Sequence, residues 1–248
     1  MSEAVPRPLQ PLREDWTRAL AIVAHPDDME YGAAAAVARW TGQGKTIVYA
    51  IATSGEAGID SIEPEKAPGF RETEQKASAR LVGVDVVEFL GYPDGVIEYG
   101  LPLRRDLARA IRQHRPEIVV TTNFRETYGG TLLNQADHIA VGRATLDAVR
   151  DAANRWVFRE LLDEGLDRWN GVRQVWAFGS PDAGHAVDTT DTFDRGVESL
   201  KAHATYLAAL EGVLGDAEEF LEAIGRDAGS RLGTRYAAEF EVLQISWE

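Results

Sequence analysis

Cysteine is absent from this chain of 248 residues, and histidine is scarce, with five residues. Without cysteine the chain can form no disulfide, has no thiolate nucleophile and cannot hold an Fe–S cluster or a Cys-ligated zinc. Any metal site must therefore be built from histidine, carboxylates and neutral oxygens. Because the histidines are so few, each one can be weighed as a candidate ligand or catalyst.

The chain also lacks an excess of basic residues and any long apolar run. Asp and Glu number 40 against 26 Lys and Arg, a formal net charge of −14, which argues against non-specific binding to nucleic acid or to an anionic membrane. No apolar run reaches the ~20 residues of a membrane helix, and residues 1–18 lack the apolar centre of a signal peptide. We therefore expect no nucleic-acid partner, no membrane span and a location in the cytoplasm of a bacterium.

What is present is an alternation of short apolar runs with amphipathic segments. Strands are predicted over 19–24, 45–53, 85–90, 117–122, 172–178 and 186–190, and helices over 30–40, 70–81, 103–114, 137–152, 193–210 and 217–224. A final alternating segment, 239–245, is predicted to be an edge strand. This order predicts an α/β fold with a Rossmann-like, mostly parallel sheet and helices on both faces. We expect one domain over 1–248, in which 1–17 form an N-terminal extension.

Polar segments follow several of the predicted strands, which is where an open parallel sheet binds its ligands. The first of these segments contains His25, Asp27 and Asp28, directly after an apolar strand, and these residue types suit a metal site. A plain alternative is an Asp that caps the next helix, but a cap has no need of the histidine. Because no GxGxxG pattern follows this strand, a dinucleotide-binding site has little support.

The segment 24–30, AHPDDME, resembles the AHPDDE signature of the PIG-L/LmbE-like zinc-dependent N-acetylglucosaminyl deacetylases. The resemblance continues in the same order through 53–58, 71–74, 91–95 and 137–141. It implies a Rossmann-like fold and a deacetylase activity.

The resemblance further implies a catalytic zinc site. His25, Asp28 and His138 match the metal ligands of the family, and Asp27 matches its general base. Such a ligand set keeps an open position for water, whose pKa zinc lowers to about 7. Asp27 can then take the proton as the water attacks an acetamide carbonyl. The same donors also accept Fe²⁺, Co²⁺ or Mn²⁺, so the metal is left open.

Substrate contacts are implied as well. Arg71 matches an arginine that binds polar groups of the sugar or its aglycone, and Asp94 matches an acidic residue that holds sugar hydroxyls. The alternatives are an exposed helical pair between Arg71 and Glu74 and a simple turn role for Asp94. Tyr128, in a Gly-rich segment, is a candidate substrate-binding donor on a mobile lid.

The chain departs from the family pattern near the third ligand. Many members have His-Pro-Asp-His, whereas this chain has Gln-Ala-Asp-His at 135–138. Gln135 cannot titrate, but its amide can donate a hydrogen bond to an oxyanion. The catalytic acid is then Asp27 or His185, although an exposed loop histidine is an equal alternative for His185.

We therefore predict a zinc-dependent hydrolase that removes an N-acetyl or N-acyl group from an amino sugar in a small glycoconjugate. Two alternatives stay open, a non-catalytic carbohydrate- or metal-binding protein and an amide hydrolase that acts on a non-sugar metabolite. A homo-oligomer is also left open. His114 and His203 are expected to have structural roles, and Asp137 is expected to orient a neighbouring side chain.

Overall fold

An eight-stranded sheet forms the centre of the computed structural model, which describes residues 7–210 and 212–245. The strands are β1 (Gln10–Pro11), β2 (Arg18–Val23), β3 (Thr46–Ile51), β4 (Val86–Phe89), β5 (Ile118–Thr122), β6 (Gln174–Phe178), β7 (His185–Asp188) and β8 (Ala237–Gln244). Their order across the sheet is β1-β7-β8-β6-β5-β2-β3-β4. Among these described strands only β8 runs antiparallel to its neighbours, so the prediction of a mostly parallel α/β fold is confirmed.

Helices cover both faces of the sheet. They are α1 (Asp28–Gly32), α2 (Ala34–Gly42), α3 (Ala67–Leu81), α4 (Leu101–His114), α5 (Ala136–Ala153), α6 (Glu160–Asp163), α7 (Phe193–Lys201), α8 (Ala204–Leu207) and α9 (Ala217–Leu232). Within β2, Ala21 and Val23 pack with α2 on one face, and Leu20 and Ile22 pack with α4 and α5 on the other. A strand covered on both faces must be apolar at every position, which explains its continuous apolar run. None of the described helices is long and apolar enough to cross a bilayer.

The last strand does not lie at an edge. The prediction that 239–245 form an edge strand is wrong, because β8 lies between β6 and β7. Its alternation of charged and apolar residues reflects ion pairs formed with other elements. Glu241 pairs with Arg125, and Glu239 accepts a hydrogen bond of 2.6 Å from Arg231. Because these arginines neutralise the carboxylates, an interior strand can carry them.

Two predicted helices are each divided. The segment 193–210 was expected to be one helix, but α7 ends at Lys201 and α8 begins at Ala204. Between them the backbone of His203 leaves the helical conformation, and its fully buried Nε2 lies 3.7 Å from Glu30 Oε2. The predicted helix 30–40 is likewise divided into α1 and α2 at Ala33.

The described part of the predicted N-terminal extension, residues 7–17, packs against the rest of the fold. Gln10 and Pro11 form β1 beside β7. Leu9, Leu12 and Trp16 are buried. This segment therefore contributes to the hydrophobic core.

The strand order reverses at β2, which lies between β5 and β3. In open α/β sheets ligands bind beyond the carboxyl ends of the strands at such a switch point. Because β2 ends at Val23 and the parallel strand β5 ends at Thr122, the segments that follow them meet at the same edge. These segments, 24–27 and 123–135, lead into α1 and α5.

Candidate active site

The segment after β2 is a tight turn organised by one side chain. Asp28 Oδ2 accepts hydrogen bonds from the backbone N–H groups of Ala24, at 2.9 Å, and His25, at 3.0 Å. The same carboxylate directs its other oxygen, Oδ1, toward the first turn of α5. The turn and one of the predicted ligands are thus fixed by the same residue.

Three ligand atoms converge at this point. His25 Nδ1 lies 3.2 Å from His138 Nε2, His138 Nε2 lies 3.0 Å from Asp28 Oδ1, and His25 Nδ1 lies 3.6 Å from Asp28 Oδ1. A tetrahedral metal with bonds of 2.0–2.1 Å holds its ligand atoms about 3.3 Å apart. The structure therefore brings the three predicted ligands together as a candidate metal site. Burial opposes the ionised carboxylate, but the two imidazoles outweigh it and lower the pKa of Asp28.

The far nitrogen of His25 is held by two carboxylates. His25 Nε2 lies 3.1 Å from Asp94 Oδ1 and 3.4 Å from Asp137 Oδ2. Asp137 is itself fixed by the N–H groups of Gly95, at 2.7 Å, and Ile97, at 3.0 Å. Burial opposes a charge on His25, but hydrogen bonds to Asp137 and Asp28 raise its pKa well above the usual range. Because the two carboxylates accept the Nε2 proton, Nδ1 is the nitrogen that faces the metal site, where a bound metal would take the place of its proton.

The far nitrogen of His138 contacts two residues of the long segment 123–135. His138 Nδ1 lies 2.8 Å from the Tyr128 hydroxyl and 3.0 Å from Asn134 Oδ1. The Asn134 amide donates to the carbonyl oxygens of Asn123, at 2.7 Å, and Arg125, at 2.9 Å, so its oxygen must face the imidazole. Because that oxygen can only accept, the Nδ1 proton is fixed and the Nε2 lone pair faces the metal site.

Asp27 lies beside this cluster in an uncommon backbone conformation. Its φ is 101°, and only 4% of the residue is exposed. Burial raises the pKa of its carboxyl, although the nearby Arg71 guanidinium opposes the shift. Arg71 Nη2 lies 3.3 Å from Asp27 Oδ2 and donates to the Pro26 carbonyl at 2.7 Å.

Arg71 is buried rather than displayed on an exposed helix face. It is 1% exposed, and its guanidinium lies over the Tyr206 ring at 3.9 Å. A Cβ at Gly55, where φ is +66°, would lie 2.7 Å from Arg71 Nε, so glycine allows this close approach. The contact of Arg71 with a sugar stays a prediction.

Of the other predicted site residues, some lie near the cluster of ligand atoms and others do not. Asp94 is placed against His25 and accepts the Ala57 N–H at 2.8 Å, while Gln135 is exposed where α5 begins. His185 begins β7, and three strands lie between β7 and β2, a separation of about 19 Å at about 4.8 Å per strand. The structure does not bring His185 into the cluster.

Sequence reasoning missed two polar residues that support the site, Gln75 and Asn134. Gln75 Oε1 accepts the Asp27 N–H at 2.8 Å. Its spacing of four residues from Arg71 on a helix is a signal that was available, since such residues share a face. Asn134 gave no comparable signal, because its role depends on loop carbonyls.

Comparison with known proteins gives consistent matches over most of the chain. The PIG-L family model, described as GlcNAc-PI de-N-acetylase, matches residues 20–149. Diacetylchitobiose deacetylase of Thermococcus kodakarensis is 27% identical over 90% of this chain and 82% of its own. The 1D-myo-inositol 2-acetamido-2-deoxy-alpha-D-glucopyranoside deacetylase of Corynebacterium glutamicum is 25% identical over 79% and 77%. The solved N,N'-diacetylchitobiose deacetylase of Pyrococcus horikoshii shares the fold, with a TM-score of 0.85, 24% identity and coverage of 93% and 85%.

Proposed function

The chain belongs to the family of the GlcNAc-PI de-N-acetylases, PIG-L, and we propose that it is a metal-dependent N-deacetylase acting on an amino sugar in a small glycoconjugate. The triangle of ligand atoms from His25, Asp28 and His138 carries this proposal. The names of the two relatives support the substrate class, because both specify acetylated amino sugars.

Zinc is the metal that we propose for the site. Two imidazole nitrogens and one carboxylate oxygen are donors that a catalytic zinc uses, and Fe²⁺, Co²⁺ or Mn²⁺ would accept the same set. When bound, such an ion supplies a Lewis acid and lowers the pKa of water to about 7. The protein contributes two imidazoles whose tautomers are already fixed by Asp94, Asp137 and Asn134.

Asp27 is the proposed general base. Asp27 is adjacent to Asp28, but its carboxylate contributes no atom to the metal-ligand triangle. The carboxylate is therefore available for proton transfer. It takes one proton from the attacking water as the new C–O bond forms at the acyl carbon. As the C–N bond breaks, the protonated carboxyl returns that proton to the leaving amine. Burial raises the pKa of this group, which makes its carboxylate a stronger base for the first transfer.

Tyr128 is the proposed donor to the acyl oxygen. Since the Nδ1 proton of His138 points toward Asn134 and Tyr128, the Tyr128 oxygen accepts and its own proton is available for the substrate. Burial raises the pKa of Tyr128 above its usual range, so the hydroxyl stays protonated at neutral pH. Gln135 remains a prediction for the oxyanion contact, without a side-chain hydrogen bond to the cluster among the described residues. His185 is separated from β2 by three strands, so Asp27 is proposed as the acid in its place.

Metal analysis together with an acetate-release assay tests this function. The assay uses the metal-loaded protein with N,N'-diacetylchitobiose and a GlcNAc–inositol conjugate, and we expect release of acetate with about one metal per chain. Asp27→Asn should retain the metal while kcat falls about 10²–10⁴-fold, the usual contribution of a general base. Asp60→Asn, at an exposed position, is the matched control and should keep full activity.

Other outcomes separate the alternatives. Saturable sugar binding by the metal-loaded protein without acetate release would identify a non-catalytic binding protein. Release of acetate from non-sugar amides alone would identify an amide hydrolase of another substrate class. Full activity of Asp27→Asn would overturn the role of Asp27 while leaving the deacetylase itself intact.

A further inference from the structure

The peptide bond that joins Pro26 to Asp27 is held at both ends by one helix. Its carbonyl oxygen, on Pro26, accepts a hydrogen bond of 2.7 Å from Arg71 Nη2. Its N–H, on Asp27, donates to Gln75 Oε1 at 2.8 Å. Arg71 and Gln75 lie four residues apart on α3, on one helix face, and each is 1% exposed. We refer to these two side chains as the peptide clamp.

This peptide needs such support because Asp27 has an unfavourable backbone conformation. At φ 101° and ψ −21°, it lies where residues with a Cβ are rarely found, and such conformations persist only when surrounding contacts impose them. Relaxation of φ would rotate the Asp27 side chain away from the edge of the metal-ligand triangle. The clamp therefore acts on the direction of the Asp27 carboxylate.

The orientation of the Gln75 amide is fixed by the carboxylate of Glu30. Gln75 Nε2 donates to Glu30 Oε1 at 2.9 Å, and Ser78 Oγ donates to the same oxygen at 2.6 Å. The Asp27 N–H can only donate and the Glu30 carboxylate accepts. As a result, one of the two amide orientations makes both hydrogen bonds and the other makes neither. Glu30 thus ensures that Gln75 presents its oxygen to Asp27.

We propose that Gln75, oriented by Glu30, is a positioning residue that keeps the Asp27 carboxylate directed at the reacting water. This inference rests on the proposed function, since it takes Asp27 as the general base. Gln75 has no contact with the ligand atoms of His25, Asp28 or His138 among the described residues. Its loss should therefore lower kcat and leave KM and metal affinity unchanged.

The main test is Gln75→Met, which keeps the side-chain length and removes both polar contacts. We expect kcat for acetate release to fall about 10–100-fold, as for small misplacements of catalytic groups. KM and the metal dissociation constant, measured by chelator competition, should remain at wild-type values. A wild-type kcat in this variant would overturn the proposal.

A rescue experiment separates positioning from general stability. Gln75→Glu still accepts the Asp27 N–H but opposes a second carboxylate at Glu30, so kcat should fall. Combining it with Glu30→Gln exchanges donor and acceptor, because the amide at position 30 can donate to the carboxylate at position 75. We expect the double variant to recover about 10-fold of the lost kcat, the scale on which small misplacements act. Failure to recover in a folded double variant contradicts the proposal.

Ser199→Ala provides the matched control. Ser199 Oγ lies 2.7 Å from Ser78 Oγ in the same buried network, but it does not contact the clamp. This variant should lose thermal stability and keep its kcat. Equal loss of kcat in Ser199→Ala and Gln75→Met would show that the effect is only structural.

Hydrogen exchange of the Asp27 amide is a readout independent of turnover. It should be faster in Gln75→Met than in Ser199→Ala, and equal rates in the two variants would overturn the clamp. If the wild-type protein releases no acetate from any substrate, the proposed function fails, while the exchange rates still decide whether the clamp exists.

Discussion

The two segments that lead to the proposed metal ligands differ in length and in how they fix those side chains. The short segment runs from residue 24 to Asp28, the first residue of α1, and the long segment runs from residue 123 to His138, in the first turn of α5. In the short segment Asp28 closes the turn on the backbone with one oxygen and faces the metal site with the other. In the long segment the ligand, His138, is oriented by separate residues, Tyr128 and Asn134.

The two segments also differ in exposure. Asp27 and Asp28 are 4% and 7% exposed, whereas Leu132 and Leu133 are 66% and 77% exposed. A bridge between Thr127 and Leu133 and the hydrogen bonds of the Asn134 amide close the long segment on itself. The short segment therefore fixes the geometry of the ligand atoms. The exposed side chains of the long segment can be substituted while Asn134 still orients the His138 imidazole.

The largest effect is expected in the short segment, for Asp28→Ala. The change removes a proposed metal ligand together with the acceptor for the N–H groups of Ala24 and His25, so we expect metal binding to be lost. Asp28→Asn should also lose the metal but keep an acceptor. After chelation, the alanine variant should therefore be less stable than the asparagine variant by about 1–3 kcal/mol, measured by urea unfolding. Equal stability would contradict the double role of Asp28.

In the long segment, Tyr128→Phe should affect turnover and spare the metal. Removing one donor to an oxyanion lowers kcat about 10²–10³-fold. Metal affinity should hold, because Asn134 still accepts the His138 Nδ1 proton. Steady-state kinetics measures the change in kcat, and chelator competition measures metal affinity. Weakened metal binding would show that Tyr128 supports His138 instead.

Asn134→Ala should instead weaken metal binding. Loss of the partner that orients a ligating histidine lowers metal affinity about 10–100-fold. Asn134→Asp keeps an acceptor toward His138 Nδ1 but removes the donor to the carbonyl oxygens of Asn123 and Arg125, so the pair of variants separates these two contacts. Chelator competition on both variants should show the alanine variant as the weaker binder; equal affinities would mean that Tyr128 alone suffices.

The smallest effect is expected at the surface of the long segment, for Leu133→Ser. Because this side chain is 77% exposed, the free energy of unfolding should change by no more than about 0.5 kcal/mol. Urea unfolding measures this change. A larger loss would show that the long segment packs its leucines and would remove the contrast with the short segment.

The position of the short segment could be predicted from the sequence because its polar residues are contiguous. His25, Asp27 and Asp28 stand side by side after an apolar strand, so their placement at a sheet edge follows from the strand alone. Gln75 and Asn134 lie far from them in sequence. Their roles depend on which backbone groups the fold brings near, and a single sequence does not display those groups.

The errors in the fold have the same physical origin. The alternation in 239–245 is typical of an edge strand, but the pairing of Glu241 with Arg125 makes an interior position tolerable. The break between α7 and α8 lies at His203, whose backbone leaves the helical conformation, and helix periodicity does not reveal it. Local pattern predicted the elements, while contacts between residues distant in sequence decided their neighbours.

The place of β8 in the sheet has a consequence for biogenesis. β7 pairs only with β1 and β8 among the described strands, so β1 and β7 join the other strands only through β8. A nascent chain can assemble β3 with β2 and β5, the strands that precede the proposed ligands, early, yet β1 must wait for residues 237–244 before it joins the sheet. Folding during translation is therefore expected to yield an intermediate with the catalytic edge formed and the opposite flank unassembled.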